Sequence, residues 1–308
     1  MGAALDLVKE HGGQAPGGPP DFGAAALPTE FVRYPAAARL MLHGLLWKPA
    51  QATASVVVYV PGFGGGFAGP NDLNSFVAPL VADGHAMLAI NTRAVSPTGM
   101  VYAHFEDCLE DIDAALSFLR SRGYTSIVMV GDSLGGCRVA YYLAHRAEHG
   151  IAAVAFLGGI VSPYMEARFR WNETERACYD AFLETARRMV AERRGREVVS
   201  FPWGGGRPLT VSAETLVNFF GTPSDGNTDV LSHAKSINVP TLVLHGSRDG
   251  VALPENGQII HAALTEAPSR ELVIVNADHF FMTQADALAY AQPLAEWIAR
   301  TLAPAEAV

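Results

Sequence analysis

Short apolar runs that alternate with longer amphipathic segments restrict the fold of this chain more than any other feature of its sequence. The run Ser55–Val60 is continuous and β-branched, which is typical of a strand buried on both faces. Strands joined through whole helices need crossover connections, so the sequence predicts a mostly parallel sheet with helices on both faces. The first two predicted strands form an antiparallel pair, so we expect the sheet to be mixed.

The predicted strands are Phe31–Tyr34, Leu40–Trp47, Ser55–Val60, Ala86–Asn91, Ser126–Val130, Ala152–Leu157, Thr241–His245 and Leu272–Val275. The predicted helices are Asp72–Ala82, Phe105–Arg122, Leu134–Ala147, Pro254–Leu264 and Ala285–Leu302.

The alternation stops between residues 159 and 232, which we interpret as a cap or lid insertion. Within it, Trp171–Arg194 is predicted to be one helix and Phe201–Gly206 a loop. Residues 1–30, rich in Gly, Ala and Pro towards their end, are predicted to be a flexible N-terminal arm. The α/β core then comprises residues 31–158 and 233–308.

Composition and charge exclude several classes of protein. The 308 residues are 49% hydrophobic and 17% charged, which indicates a folded globular chain. The net charge of −9 argues against nucleic acid or an anionic membrane as a partner, and no apolar run approaches the roughly 18 residues of a spanning helix. Three cysteines without C-x-x-C spacing suit a reducing compartment, and without a secretory signal we expect a cytoplasmic protein.

The pentapeptide Gly131-Asp132-Ser133-Leu134-Gly135 lies between a predicted strand and a predicted helix. In that context G-x-S-x-G indicates a nucleophile elbow, a sharp turn that leaves the serine hydroxyl exposed above the sheet. The N–H groups that begin the following helix favour negative charge at the same place. Ser133 is therefore the candidate nucleophile.

A serine nucleophile needs a base and a carboxylate that orients the base, and two later loops offer both. Asp249 follows the strand Thr241–His245, and His279 follows the strand Leu272–Val275. Asp278 is an alternative orienter, although adjacent side chains in a loop generally point apart. His245 is an alternative base, although it ends a strand and packing explains it equally well.

These residues, in the order Ser, Asp, His, resemble the α/β-hydrolase superfamily, and specifically its serine esterase-type members with a helical cap. The elbow, the stretch from His245 to Asp249 and the stretch Asp278-His279-Phe280 carry the resemblance, which covers about residues 31–302. It implies an α/β-hydrolase fold, with Ser133 as nucleophile, His279 as general base and then acid, and Asp249 as orienter.

The resemblance also implies an oxyanion hole formed by the main-chain N–H groups of Phe63 and Leu134. The loop that carries Phe63 begins Pro61-Gly62, where many relatives have His-Gly, so its orientation stays open. Its glycine cluster lacks the lysine of a P-loop and does not match a dinucleotide fingerprint, which argues against nucleotide binding.

Aromatic residues of the insertion are candidates to roof an apolar pocket, and a solvated helix face is the alternative for its mixed charges. The candidate substrate-binding residues are Gly62, Trp171, Trp203, Phe219 and Phe280, with Phe182 and Phe220 as further candidates for the roof. The run Trp203–Gly206 is a candidate hinge. The stretch from His145 to His149 matches the H-x-x-E-H pattern of some zinc peptidases, but its place at a helix end favours a solvated terminus.

We therefore expect a serine hydrolase that cleaves a carboxylic ester of a small organic molecule through an acyl-enzyme, with no cofactor and no metal. The alternatives on the same residues are hydrolysis of a lactone, thioester, amide or carbon–carbon bond, and acyl transfer. A non-catalytic small-molecule binding protein is a further alternative. The expected partner is the ester substrate, and the oligomeric state stays open, with a homodimer as one candidate.

Overall fold

The computed structural model describes residues 27–36, 40–69, 71–95, 99–203 and 207–303. Its strands are β1 Thr29–Pro35, β2 Met41–Trp47, β3 Ser55–Val60, β4 Ala86–Ile90, β5 Ser126–Asp132, β6 Ala153–Leu157, β7 Val198–Trp203, β8 Arg207–Ser212, β9 Thr241–Gly246 and β10 Arg270–Val275. Its α-helices are α1 Leu73–Ala82, α2 Cys108–Ser121, α3 Leu134–His145, α4 Pro163–Arg170, α5 Glu173–Ala191, α6 Ala213–Phe220, α7 Val230–His233, α8 Pro254–Ala263 and α9 Gln284–Leu302.

Eight strands form one twisted sheet in the order β1-β2-β4-β3-β5-β6-β9-β10. The pairs β1–β2 and β2–β4 are antiparallel, and the pairs from β4 to β10 are parallel. Strand β3 has β4 on one side and β5 on the other, so the strand order reverses at this point. Loops that leave the carboxyl ends of β3 and β5 diverge there and open a crevice, which is where open α/β sheets bind ligands.

Both faces of the sheet are covered, which explains the continuous apolar runs. Val56 and Val58 of β3 belong to the core under α2, α3 and α8, whereas Val57 and Tyr59 belong to the core under α1 and α9. Every second side chain of a central strand thus enters the same core. The mostly parallel sheet with helices on both faces confirms the predicted fold class.

The predicted core elements agree with the structure to within three residues at each end. Thr29 and Glu30, predicted to belong to the arm, pair with β2 instead, and residues 1–26 of the predicted arm lie outside the described residues. Helix α3 ends at His145, two residues before the predicted end, because Arg146 leaves the helical conformation. In the described part of the chain, no helix combines the length and the apolar character needed to cross a membrane.

The segment between β6 and β9 differs most from its prediction. The predicted helix Trp171–Arg194 is confirmed as α5, which starts two residues later and ends three residues earlier: Trp171 is extended, and Asn172 starts α5 through a capping box with Glu175. The predicted loop Phe201–Gly206 is wrong at Phe201–Trp203, because these residues belong to β7, which pairs with β8 in antiparallel fashion. Residues 204–206 of the predicted hinge lie outside the described residues. Helices α4, α6 and α7 were not predicted.

Candidate active site

Ser133 occupies the sharp turn between β5 and α3. Its φ of 52° and ψ of −119° lie in a region that side chains other than glycine rarely adopt. The glycines on either side are required by space: a Cβ on Gly131 would lie 2.7 Å from the carbonyl oxygen of Gly135, and one on Gly135 would lie 2.1 Å from that of Val60. The turn therefore holds a half-buried serine side chain at the carboxyl end of β5.

The structure brings Ser133, His279 and Asp249 together in one hydrogen-bonded chain. Ser133 Oγ lies 3.1 Å from His279 Nε2, and His279 Nδ1 lies 2.7 Å from Asp249 Oδ2. The other oxygen of Asp249 accepts from the N–H groups of Val251 and Ala252 at 2.8 and 2.7 Å. Since those two N–H groups fix the carboxylate, its free oxygen can hold the imidazole in one orientation.

Electrostatics at His279 favour its charged form. Burial by itself would lower the pKa of this imidazole, but the hydrogen bond and the negative charge of Asp249 raise the pKa above its ordinary value. Such a group can accept a proton from a neighbouring hydroxyl and hold it as a stabilised imidazolium.

The two alternative residues are engaged elsewhere. Asp278 Oδ1 accepts from the N–H of Phe281 at 2.7 Å. His245 is fully buried with its Nε2 2.8 Å from the carbonyl oxygen of Ala252, and burial lowers its pKa. His245 Nε2 also lies 3.7 Å from Asp249 Oδ2, behind the His279 contact. Neither residue takes the place of His279 or Asp249 next to the serine.

The loop after β3 passes directly beside the serine. A Cβ on Gly62 would lie 3.0 Å from the Cβ of Ser133. The N–H of Phe63 has no acceptor among the described residues, and the N–H of Leu134 begins α3, where a helix offers no internal acceptor. The buried Arg138 of α3 donates to the carbonyl oxygens of Pro61 and Gly62. The residues that directly follow Gly62 and Ser133 thus each carry a main-chain N–H without an acceptor among the described residues.

A cavity of about 280 Å³ opens above this group. Its wall is largely apolar and comprises Phe63, Phe67, Leu73, Ile160, Pro163, Trp203, Phe220, Val251 and Phe280. Its polar wall groups include Tyr59, Asp132, Ser133, Glu166, Arg170 and His279. The space is sufficient for a small organic molecule with its reactive group over the serine.

Three of the five predicted substrate-binding residues, Gly62, Trp203 and Phe280, line this cavity, whereas Trp171 and Phe219 do not. Trp171 packs its ring edgewise against Trp203 from behind, at 5.3 Å between centroids. Neighbouring residues of a helix point about 100° apart, so Phe219 faces a different direction from Phe220. Its ring packs edgewise against Phe105. Of the two further candidates for the roof, Phe220 lines the cavity and Phe182 does not.

Two buried carboxyl groups at the cavity were missed from the sequence. Asp132 accepts the hydroxyl of Tyr59 at 2.6 Å, and burial raises its pKa to about 6. Glu166 is 6% exposed, and burial raises its pKa to about 7. The nearby side chain of Asn256 lowers the pKa of Glu166 and so favours its ionised form. Even so, no donor among the described residues reaches either carboxylate oxygen of Glu166 with hydrogen-bond geometry. The position of Asp132 inside the elbow could have identified it as a site residue from the sequence. Glu166 looks in the sequence like an ordinary charged residue of a helix.

The residues of the zinc-peptidase pattern do not converge. His145 Nδ1 lies 2.8 Å from the carbonyl oxygen of Tyr141, and His149 Nδ1 accepts from the N–H of Ile151. In the described ranges, no three His, Cys, Asp or Glu side chains are grouped to hold a metal ion.

Comparisons with known proteins agree with this fold. The family model described as serine aminopeptidase, S33, matches residues 51–283, which is more than half of the chain. The chain belongs to this family. Its members are α/β-hydrolases, so the match and the fold together identify a hydrolase of that superfamily.

Individual relatives are distant. A non-heme haloperoxidase of Rhodococcus erythropolis is 24% identical over 199 residues, which cover 59% of this chain and 71% of the relative. The α/β-hydrolase GrgF from Penicillium sp. sh18 superposes with a TM-score of 0.68 at 17% identity, covering 90% of this chain and all of the other. The esterase domain of a Rhodothermus marinus protein gives a TM-score of 0.61 at 19% identity, covering 89% of this chain and 99% of the other. At these identities the two structures show the shared fold.

Proposed function

We propose that this chain hydrolyses carboxylic esters of small organic molecules through an acyl-enzyme on Ser133. The observation that carries the proposal is the hydrogen-bonded chain from Ser133 through His279 to Asp249 at the floor of a largely apolar cavity. The likeness to esterases in solved structures supports the choice of an ester bond.

In the first half of the reaction, Ser133 Oγ attacks the ester carbonyl carbon while His279 Nε2 takes the hydroxyl proton. Asp249 stabilises the imidazolium that forms, and the N–H groups of Phe63 and Leu134 donate to the negative oxygen of the tetrahedral intermediate. The carbon–oxygen bond to the alcohol then breaks, and the alcohol leaves with the proton from His279.

In the second half, water attacks the acyl carbonyl and gives its proton to His279. A second tetrahedral intermediate collapses, Ser133 recovers the proton, and the carboxylic acid leaves. Apart from the ester and one water molecule, each step uses groups of this chain.

Initial rates with nitrophenyl esters of increasing acyl length test the proposal, with wild type and Ser133→Ala purified side by side. We expect wild-type turnover that Ser133→Ala abolishes, since removal of such a nucleophile costs about a million-fold in kcat. Equal turnover by a folded Ser133→Ala protein would overturn the proposal.

The family description makes an amide bond the second candidate substrate. The same two proteins assayed on aminoacyl nitroanilides distinguish the candidates. Nitroanilide turnover that exceeds ester turnover in kcat/KM, and that depends on Ser133, would replace the ester by an amide.

We further propose that residues 159–232 act as the predicted cap. Support comes from the cavity wall, to which this segment contributes Ile160, Glu166, Trp203 and Phe220. Trp203→Ala should widen the acyl pocket and move the preferred ester to a longer chain, and an unchanged chain-length profile would contradict this role. The cytoplasmic location and the oligomeric state stay predictions.

A further inference from the structure

Arg138 is a buried cation whose hydrogen-bond partners are main-chain carbonyls. It lies one turn into α3 and is 2% exposed. Among the described residues its Nη1 donates to the carbonyl oxygens of Pro61 and Gly62, the latter at 2.7 Å, while its buried Nη2 has no acceptor. Burial lowers the pKa of the guanidinium, although the negative charge of Asp111 offsets part of this effect, and among the described residues Arg138 forms no salt bridge. The cost of burying this charge suggests a role beyond packing.

The carbonyl of Gly62 and the N–H of Phe63 belong to one peptide group. That group is planar and trans, so its C=O and N–H point in opposite directions. Arg138 and the N–H of Gly65, at 3.1 Å, both donate to the Gly62 oxygen. The N–H of Phe63 is therefore turned away from Arg138, and it is the end of this peptide without an acceptor among the described residues.

The preceding peptide is held in the same way. Arg138 also donates to the carbonyl of Pro61, and the N–H of Gly62 is one of the groups that favour ionised Asp132. The Pro61–Gly62 and Gly62–Phe63 peptides together have two carbonyl and two N–H groups. Both carbonyls and the N–H of Gly62 have a partner, and the remaining group is the N–H of Phe63.

A positive charge at the carbonyl end of a peptide polarises it and strengthens its N–H as a donor. Donors that are already oriented before charge develops contribute most to stabilising an oxyanion. The position of Arg138 orients the Phe63 N–H, and its charge makes that N–H a stronger donor. Both effects favour stabilisation of an oxyanion by this N–H.

We propose that Arg138 is a positioning residue, which fixes and polarises the Gly62–Phe63 peptide so that the Phe63 N–H is preset to stabilise the oxyanion. This inference rests on the proposed ester hydrolysis. The guanidinium of Arg138 should therefore lower the energy of the transition state for acylation and leave the affinity for the substrate unchanged.

Stopped-flow bursts of nitrophenol release test the proposal, because they give the acylation rate constant and the substrate dissociation constant Ks separately. Arg138→Met should slow acylation about 100-fold with Ks nearly unchanged, as for loss of an oxyanion donor. A boronic acid, which forms a tetrahedral adduct with a serine hydroxyl, should lose affinity for the variant by a similar factor. Arg138→Lys keeps the charge and one donor nitrogen, so it should recover part of the rate.

Arg270→Met is the matched control, since Arg270 also donates to two main-chain carbonyls but lies on the surface at the start of β10. It should acylate as wild type does. Circular dichroism checks the folding of each variant, and if Arg138→Met does not fold, Arg138→Lys decides alone: slower acylation at unchanged Ks supports the proposal.

Wild-type acylation and boronate affinity in folded Arg138 variants would overturn the role of Arg138 while leaving the proposed hydrolysis intact. A raised Ks with an unchanged acylation rate would also overturn it, because the effect would then be on binding. A folded wild type that turns over no ester would overturn the proposed function, and the role of Arg138 with it.

Discussion

Replacing Glu166 by glutamine should stabilise the protein, and the gain should depend on pH. Glu166 is 6% exposed, and among the described residues no donor reaches either of its oxygens with hydrogen-bond geometry, although the nearby Asn256 favours the ionised form. Burial raises its pKa from 4.5 to about 7. Each pKa unit corresponds to about 1.4 kcal/mol, so ionising Glu166 costs the folded protein about 3 kcal/mol.

The sign follows from proton linkage. Between pH 4.5 and about 7 the folded protein keeps a proton on Glu166 that the unfolded chain has already lost. The contribution of this group to stability is therefore fully present below pH 4.5 and is lost as the pH rises through about 7. Glu166→Gln cannot ionise, so its free energy of unfolding relative to wild type should rise by about 3 kcal/mol across this window.

Urea unfolding of both proteins, followed by tryptophan fluorescence at several pH values from about 4.5 to about 8, measures this difference. Asp132, whose pKa burial raises to about 6, also titrates in the window. It is present in both proteins, so its contribution cancels in the difference. The matched control is Glu296→Gln, an exposed carboxylate on α9, which should differ little from wild type at any pH. A Glu166→Gln difference that does not change with pH would refute the reasoning.

Three further predictions concern the site and its turn. Asp249→Asn should lower kcat about 10,000-fold, as for other carboxylates that orient a catalytic histidine. Asp278→Asn should keep most of its activity. Similar losses of kcat in both variants would contradict the assignment of Asp249 as the residue that orients His279. The wild-type kcat/KM should fall as the pH drops through the pKa of His279, and Asp249→Asn should move that acidic limb to lower pH, because Asp249 raises this pKa; pH–rate profiles of the two proteins check this. Gly135→Ala should lower the soluble yield or the melting temperature, since its Cβ would lie 2.1 Å from a carbonyl oxygen of β3. The control is Gly250→Ala, whose Cβ would meet nothing within 4 Å. Equal melting temperatures of these two variants would contradict the steric argument.

Much of the core could be predicted because its signals are local. The run Ser55–Val60 is apolar at every position only because both faces of β3 are buried, and its bounds matched the structure. Asp249 and His279 were found because each follows a strand that ends at the same edge of the sheet as Ser133. Parallel strands bring such loops together whatever the intervening sequence.

The remaining features depend on contacts between distant segments. Arg138 reads in the sequence as one more charge on a helix, and its carbonyl partners on the loop after β3 carry no side-chain signal. The β7–β8 hairpin was missed because Phe201 and Trp203 stand beside a glycine run that indicates a loop. The choice between Phe219 and Phe220 depends on how α6 is rotated against the cavity, which adjacent aromatic residues leave undetermined.

Trapping the acyl-enzyme tests the central claim most directly. Wild type mixed with a nitrophenyl ester, quenched within the burst and analysed by peptide mass spectrometry should carry one acyl group on the peptide that contains Ser133. Ser133→Ala should carry none, and Asp249→Asn should acylate the same peptide far more slowly. Ester turnover without acylation at Ser133, or acylation on another residue, would contradict the account.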